Sequence, residues 1–546
     1  MTGTKYQILT ALLAGALPAF TGCVMEHDRE PGDDWNELVG AASLPPADPC
    51  NSRFSHNPER TLAVPLMMSK SGSSSRLPVD TDWYTNVVIQ NTSSTLATVR
   101  LRAVSTTGTE VCTIFSLGSE TAVIFRADNL QAAGTVVIAG FPVGNFEGSM
   151  FIETDQRLAA VVKLSNVPLA SMGRPGGTAA GAYQVLSMKS GSRETGQALA
   201  YPIMKSGFNG SSTTLFVQNV ESWDDQLHME VRTNDSKVYN YSVSVSGGQS
   251  VAIQPGQFTD AAGKPMPAAC PSGGANAGQP GAPCFGSVRT VPSWELGARF
   301  GAIAVEHPAS GAAPTILAAQ FENAWPAPDH QWLPVVKNQY QGASSGIGIM
   351  NVSSAYQDIT VILRKQAVPE SEYRYTFEDV PPFRSVVASP SADTFGGFPA
   401  GEIGAAEIRS TGPITAVVNE TNVSGSASSY HGQSVPGDLA APLDKIAWFG
   451  RTTRTTLWNV GSQAVQIVAR YKCRTATSGT YSDHMHTMTA EPNVVVNFEP
   501  INIPAGNLCS AIFTTAQGTL VGVISEERIA TSSLEEGSIY EAIALD

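Results

Sequence analysis

The sequence predicts an all-β protein: four tandem immunoglobulin-like antiparallel β-sandwich repeats. Three observations predict it. An Asn-x-x-Ser segment recurs at Asn91, Asn219, Asn351 and Asn459, at spacings of 128, 132 and 108 residues. Apolar residues around each anchor alternate with a period of two, as in strands with one buried face. Gly (50) and Pro (35) supply turn chemistry throughout, and no stretch of ten or more residues reads as an amphipathic helix.

Composition sets the bounds. A chain of 546 residues suits three to four domains of ordinary size. Charged residues are 15%, too few for a coiled coil, and apolar residues are 42%, too many for a disordered chain. Formal charge is 33 − 47 = −14 and no long basic run is present, so no nucleic-acid partner is expected.

The N-terminus comes first. Lys5 precedes an apolar run from Ile8 to Phe20, 13 residues, too short to span a bilayer and right for a signal-peptide core over residues 1–22. Phe20-Thr21-Gly22-Cys23 resembles the lipobox of bacterial lipoproteins, although Phe20 stands where Leu is usual. That resemblance implies lipidation of Cys23 and a membrane partner reached through the lipid. Val24 is not the Asp that marks inner-membrane retention, so the outer membrane or cell surface is the expected location. Residues 23–57, acidic and poor in apolar residues, read as a flexible tether.

Seven cysteines less Cys23 leave six, an even number for an exported chain. Local pairing would join Cys50 to Cys112, Cys270 to Cys284 and Cys473 to Cys509, though sequence alone leaves the connectivity open.

Four repeats follow, expected over 58–177, 178–328, 329–429 and 430–546. Each anchor Asn is read as the start of a hairpin turn, its side chain bonding the backbone two residues on. Pro202, Pro334 and Pro442 lie 17 residues before their Asn, and Pro65 lies 26 before its own. Proline inside an apolar strand places that strand at an edge. Later in each repeat come a small-residue strand (Gly148-Ser149, Gly301-Ala302, Gly404-Ala405, Cys509-Ser510), a second apolar strand, and in three repeats a Tyr: Tyr183, Tyr430 and Tyr540. Repeat 2 carries an insertion at about residues 260–290. A propeller is the structural alternative, but its blades are about 40–50 residues long. Set in line, four sandwiches would reach on the order of 100–150 Å.

Leu333-Pro334-Val335-Val336-Lys337-Asn338, with Gly346 to Ser354 after it, resembles a repeat of secreted and surface proteins of filamentous and other environmental bacteria. Those repeats also carry the Pro-Ala-Gly turn and Ala-Val-Val-Asn strand seen here between Pro399 and Asn419. The resemblance runs from near residue 58 to the end and implies an extracellular β-rich array. It brings no activity with it.

Catalytic chemistry is not expected. Gly342-Ala343-Ser344-Ser345-Gly346 matches a nucleophile-elbow pattern, but a strand follows it where that elbow needs a helix. His484 and His486 alternate on a strand, yet two imidazoles without a third ligand make no metal site, and a strand edge is the plainer reading. Asp224-Asp225 and Asp80-Thr81-Asp82 lack the fixed glycine of a calcium loop and read as solvated turns. No cofactor is expected. Among Trp83, Trp223, Trp332, Trp448 and Trp458, Trp458 is the candidate ligand contact, set against the plainer reading that a neighbouring loop or domain covers it. Its counterparts are Gln90, Gln218 and Met350, so a Trp there serves no repeat-wide core. The expectation is a non-enzymatic lipoprotein, a structural or adhesive component of the envelope that contacts polysaccharide or surface protein. A carbohydrate-binding array is the alternative, and a hydrolase comes third.

Overall fold

The computed structural model describes residue 50 and most of residues 60–545, with its longer gaps at 71–80, 128–140, 169–179, 271–282, 293–298, 309–316 and 529–538. Cys23, the signal and tether segments other than Cys50, and Trp448 lie outside the described residues.

Repeat 3 shows the unit most cleanly. Eight strands follow in order: His330–Asn338, Ala343–Asn351, Gln357–Lys365, Glu372–Val380, Ser385–Ala388, Glu402–Ser410, Ile414–Asn422 and Ala427–His431. They form two antiparallel sheets, first–sixth–third–fourth and fifth–second–seventh–eighth. The other three repeats have the same strand order. In repeat 1 the two sheets also join, through Ser69 opposite Tyr84 and Lys70 opposite Trp83. The second–fifth and third–sixth pairings are those of an immunoglobulin sandwich; here the first strand lies beside the sixth and the seventh beside the second. Each core fills the space between its sheets, as with Leu333, Ile347, Val361 and Ala406 in repeat 3.

The anchor asparagines act as the sequence requires, and do more. Each is fully buried. The N–H two residues on donates to the anchor's Oδ1, at 3.0 Å from Ser93, 3.0 Å from Glu221, 2.9 Å from Ser353 and 3.0 Å from Gly461. The anchor's Nδ2 then donates across the sandwich end, for example from Asn351 to the Ala355 carbonyl at 2.7 Å and the Val380 carbonyl at 2.9 Å. One side chain thus closes the turn and ties it to the end of the fourth strand.

The recurrent prolines occupy bulges on the first strand, which stands at the outer edge of its sheet in repeat 3 as expected. Register slips between Val64 and Met67, Tyr201 and Met204, Leu333 and Val336, and Ala441 and Asp444. Proline's missing donor is harmless in a bulge. The bulge also frees the next residue's carbonyl, which accepts from the recurrent tyrosine: Tyr183 to Leu66 at 3.2 Å, Tyr540 to Leu443 at 2.8 Å, and Tyr430 to Val335. Burial pushes all three phenols up, so they remain donors.

These tyrosines also correct the expected boundaries. Ala180–Gln184 pairs with Leu158–Pro168 and belongs to repeat 1, and Leu186–Ser187 returns to the first strand of the same repeat. Repeat 1 therefore runs to residue 187, not 177. Ala427–His431 likewise belongs to repeat 3, past the expected boundary at 429. The insertion in repeat 2 is shorter than expected, because Phe285–Thr290 is the sixth strand. Phe258 and Met266 fold back into the repeat core beside Cys284.

The four repeats do not lie in line. The first strand of repeat 1 packs on the second and seventh strands of repeat 2, and the same contact recurs from repeat 2 to 3 and from 3 to 4. It then recurs from repeat 4 back to repeat 1. The eighth strands of all four meet at the centre in the same cyclic order. One head-to-tail contact used four times closes a ring when its rotation is near a quarter turn. The extended array of 100–150 Å is thereby overturned.

Candidate functional site

The seams carry most of the specific chemistry. Each core reaches into the next repeat: Phe216, Ile303 and Val305 join the core of repeat 1, Val417 that of repeat 2, Val523 and Ile539 that of repeat 3. Val88, Val161 and Ala182 of repeat 1 join the core of repeat 4.

A second contact is built on a backbone position with positive φ, just before the fifth strand. It is Glu120 (57°), Gly248 (76°), Phe383 (57°) and Asn493 (59°). A left-handed residue there turns the chain so that its carbonyl faces the preceding repeat. Ser149 Oγ donates to the Gly248 carbonyl at 2.7 Å, Ser287 to Phe383 at 2.8 Å, and Ser510 to Glu120 at 2.9 Å. Repeat 3 has Ala405 where the other three have Ser. Its partner is apolar instead: Trp458, Val495 and Val521 cluster with Ala405.

Trp458 is therefore 0% exposed. The expectation of a ligand contact there is corrected, because a neighbouring repeat covers the indole. Met350, its counterpart in repeat 3, packs on Ala200 of repeat 2, and Gln90 donates to the Ala511 carbonyl of repeat 4 at 3.4 Å. The position faces outward from its own sandwich and inward to the ring. Strand alternation showed the first fact and had no means of showing the second.

Charged groups line the inner strands. Glu306, Glu420 and Glu526 occupy one position of the seventh strand. Lys205 lies 2.5 Å from Glu306, and Asn419 of the next repeat donates to the same carboxylate at 3.2 Å. Lys337 pairs with Glu420 at 3.0 Å, both nearly buried. Lys163 of repeat 1 pairs with Glu526 of repeat 4 across the closing seam. Repeat 1 has Leu164 at this position, and Leu164 shares an apolar cluster with Val305 of repeat 2. Outside this ring, Glu407 receives Arg364 at 2.7 Å and Arg409 at 2.5 Å, with His330 Nε2 at 2.9 Å. Burial would raise its carboxyl, but these partners outweigh burial and hold it at about 2.

The three bridges join Cys50 to Cys112, Cys270 to Cys284 and Cys473 to Cys509. Such a set fits an oxidising compartment. Among the described residues no helix is long and apolar enough to cross a membrane. Ser344 opens the second strand of repeat 3, its hydroxyl accepting from the Gln339 N–H at 3.3 Å. His486 stands edge-on to the Phe498 ring at 4.9 Å, while His484 meets Ser482 at 2.9 Å. Asp224 and Asp225 cap local backbone N–H groups.

What stays exposed is informative. Leu96, Trp223 and Tyr356 are 62%, 50% and 66% exposed. They follow Asn91, Asn219 and Asn351 by five, four and five residues, at the tips of equivalent hairpins. Equivalent loops of a closed ring lie at one level, so three large apolar tips share one rim.

No family model matches the chain, and no curated protein matches it. Solved structures give remote likenesses. A chain titled Thermotoga maritima 1070 is 16% identical, with 22% of this chain and 90% of that one covered, at a TM-score of 0.16. A tetra-tandem repeat from the extending region of a large adhesion protein is 9% identical, covering 88% and 98%, at a TM-score of 0.11. Red sea bream transglutaminase is 10% identical, covering 62% and 58%, at a TM-score of 0.12. Scores this low carry no argument, and the all-β sandwich assignment rests on the strand pairing itself.

Proposed function

We propose that this chain is a non-enzymatic, exported protein held at the bacterial surface by a lipid on Cys23, with a structural or adhesive role. The observation that carries the reading is the shared rim of Leu96, Trp223 and Tyr356. A folded protein leaves such side chains in the open at little benefit to its own stability, and aromatic side chains are frequent anchors of recognition. The ring behind them supplies a rigid platform, and three disulfides suit exposure outside the cell.

The test uses the ectodomain Val24–Asp546, incubated with intact cells, isolated envelope polysaccharide and itself, with and without calcium. Saturable binding to cells or to itself, lost in a Trp223→Ala/Tyr356→Ala variant of unchanged stability, is the expected result. Binding that ignores both substitutions contradicts the rim as the contact. The exposed Trp223 and Tyr356 also favour a second reading, stacking on sugar rings. Saturable binding to polysaccharide alone selects it. Anchoring is tested separately: Cys23→Ala should release the protein from membranes, and unchanged fractionation would contradict the lipid.

A further inference from the structure

We propose that Asp444 makes the seam between repeats 4 and 1 a pH-sensitive joint, closed in mild acid and loosened as the pH rises.

The argument starts from the repeat comparison. The residue two after the recurrent Pro is Met67, Met204 and Val336 in repeats 1 to 3, each wholly buried in an apolar core. In repeat 4 it is Asp444, also 0% exposed. Twelve residues after the anchor, repeats 1 to 3 have Ala103, Val231 and Leu363, and repeat 4 has Tyr471. Repeat 4 has thus exchanged an apolar pair for a carboxyl and a phenol. Among the described residues neither Asp444 oxygen has a hydrogen-bond partner, and neither has the Tyr471 hydroxyl. The titratable groups close to Asp444 are Tyr471 on the third strand and Tyr540 on the eighth, both phenols that its charge would push up. Opposite it on the sixth strand is Cys509, held in its bridge to Cys473. Among the described residues no cation offsets burial at its carboxyl. Burial raises the Asp444 carboxyl to about 8.

The strand that carries Asp444, Asp438–Ile446, serves two interfaces. Within repeat 4 it pairs with Asn507–Thr514. Outside it packs on the second and seventh strands of repeat 1. This seam alone has no peptide link between the repeats it joins. A cleft lies along it, lined by Val88, Ala122 and Ile124 on one side and Leu443, Lys472 and Cys509 on the other. Hydrating an ionised Asp444 requires this strand to lift, and lifting it releases repeat 1.

The sign follows from linkage. The carboxyl is protonated in the closed ring and ionises with an ordinary carboxylate value once open. Closure is therefore strongest below the ordinary value of 3.8, weakens as the pH rises, and has lost this contribution above about 8. Between those limits the opening constant rises about tenfold per pH unit.

Hydrogen exchange on the full chain tests this between pH 5 and 8, corrected for intrinsic exchange. Protection at residues 438–446 and 158–164 should fall about tenfold per pH unit. Protection at 199–205 and 414–422, across the seam between repeats 2 and 3, should stay flat. Asp444→Met, the residue of repeats 1 and 2, should flatten the first pair; Asp444→Asn, neutral and isosteric, should do the same should the Met variant fold poorly. Constant protection in the native protein, an equal fall at every seam, or a slope that persists in both variants would overturn the proposal.

Discussion

Two seams of the ring fill one equivalent contact with opposite chemistry. Between repeats 4 and 1, Ser510 reaches the Glu120 carbonyl, Gln90 reaches Ala511, Tyr481 reaches the Ala122 carbonyl at 3.1 Å, and Lys163 pairs with Glu526. Between repeats 3 and 4 the serine has become Ala405 and the glutamine Trp458, and this contact is an apolar cluster, while the polar contacts of the seam lie elsewhere, the His431 N–H donating to Glu541 and Gln433 Nε2 to the Ala542 carbonyl at 2.8 Å. The apolar seam joins neighbours in the chain, which the linker already holds together. The polar seam joins repeats from opposite ends of the fold. Hydrogen bonds demand direction, so they set the register of a contact that no linker aligns, whereas a buried indole supplies area without much direction. The shared element is the left-handed residue before the fifth strand, and side chains vary around it.

That contrast can be broken from either side. The largest effect should come from Trp458→Ala, which empties the apolar seam and should cost about 3–5 kcal/mol. Its melting should show the junction of repeats 3 and 4 failing first; a loss below 1 kcal/mol would mean the indole is not the seam's anchor. Next comes acid. Glu407 lies two residues after Ala405, and its partner His330 stacks on Trp332, a flank of the Trp458 cluster, at 4.3 Å. Its depressed carboxyl contributes stability that is present above pH 4.5 and is lost as the pH falls toward about 2. Glu407→Gln should remove on the order of 2–3 kcal/mol of acid sensitivity, read as a flatter melting temperature between pH 5 and 2.5. A parallel pair of pH profiles would discount the cluster. Ser510→Ala should then cost about 1 kcal/mol, since the Glu120 carbonyl is left short of a donor, and it should sharpen the difference between the seams by weakening only the closing one. Tyr356→Ala, on the exposed rim, should change stability by less than about 0.5 kcal/mol, and a larger loss would mean the rim is structural.

What the sequence discloses follows the range of the interaction. The Asn turns, the alternating strands and the prolines obey local rules that all four repeats state alike, and the tyrosine recurs in three. The ring does not follow local rules. Its contacts use positions that point away from each sandwich, and these vary between repeats: Gln90, Gln218, Met350 and Trp458 on one strand, Glu120, Gly248, Phe383 and Asn493 on one turn. No single residue type marks them, so a search for likeness passes over them. Phe383 shows why the variety is tolerated: Arg289 of repeat 2 lies 3.5 Å from its ring centre, while Gly248 meets its neighbour through backbone alone. The boundaries were misplaced for a related reason. The eighth strand follows a Gly-rich stretch that reads as a linker, and only its pairing shows that Tyr183 and Tyr430 close the repeat before them.

Solution scattering tests the closed ring most directly, on residues 50–546. A compact body of that length has a radius of gyration of about 23 Å. The ring predicts a value near that, with a single-peaked distance distribution. A radius above about 30 Å, with the long tail of four sandwiches in line, would contradict it.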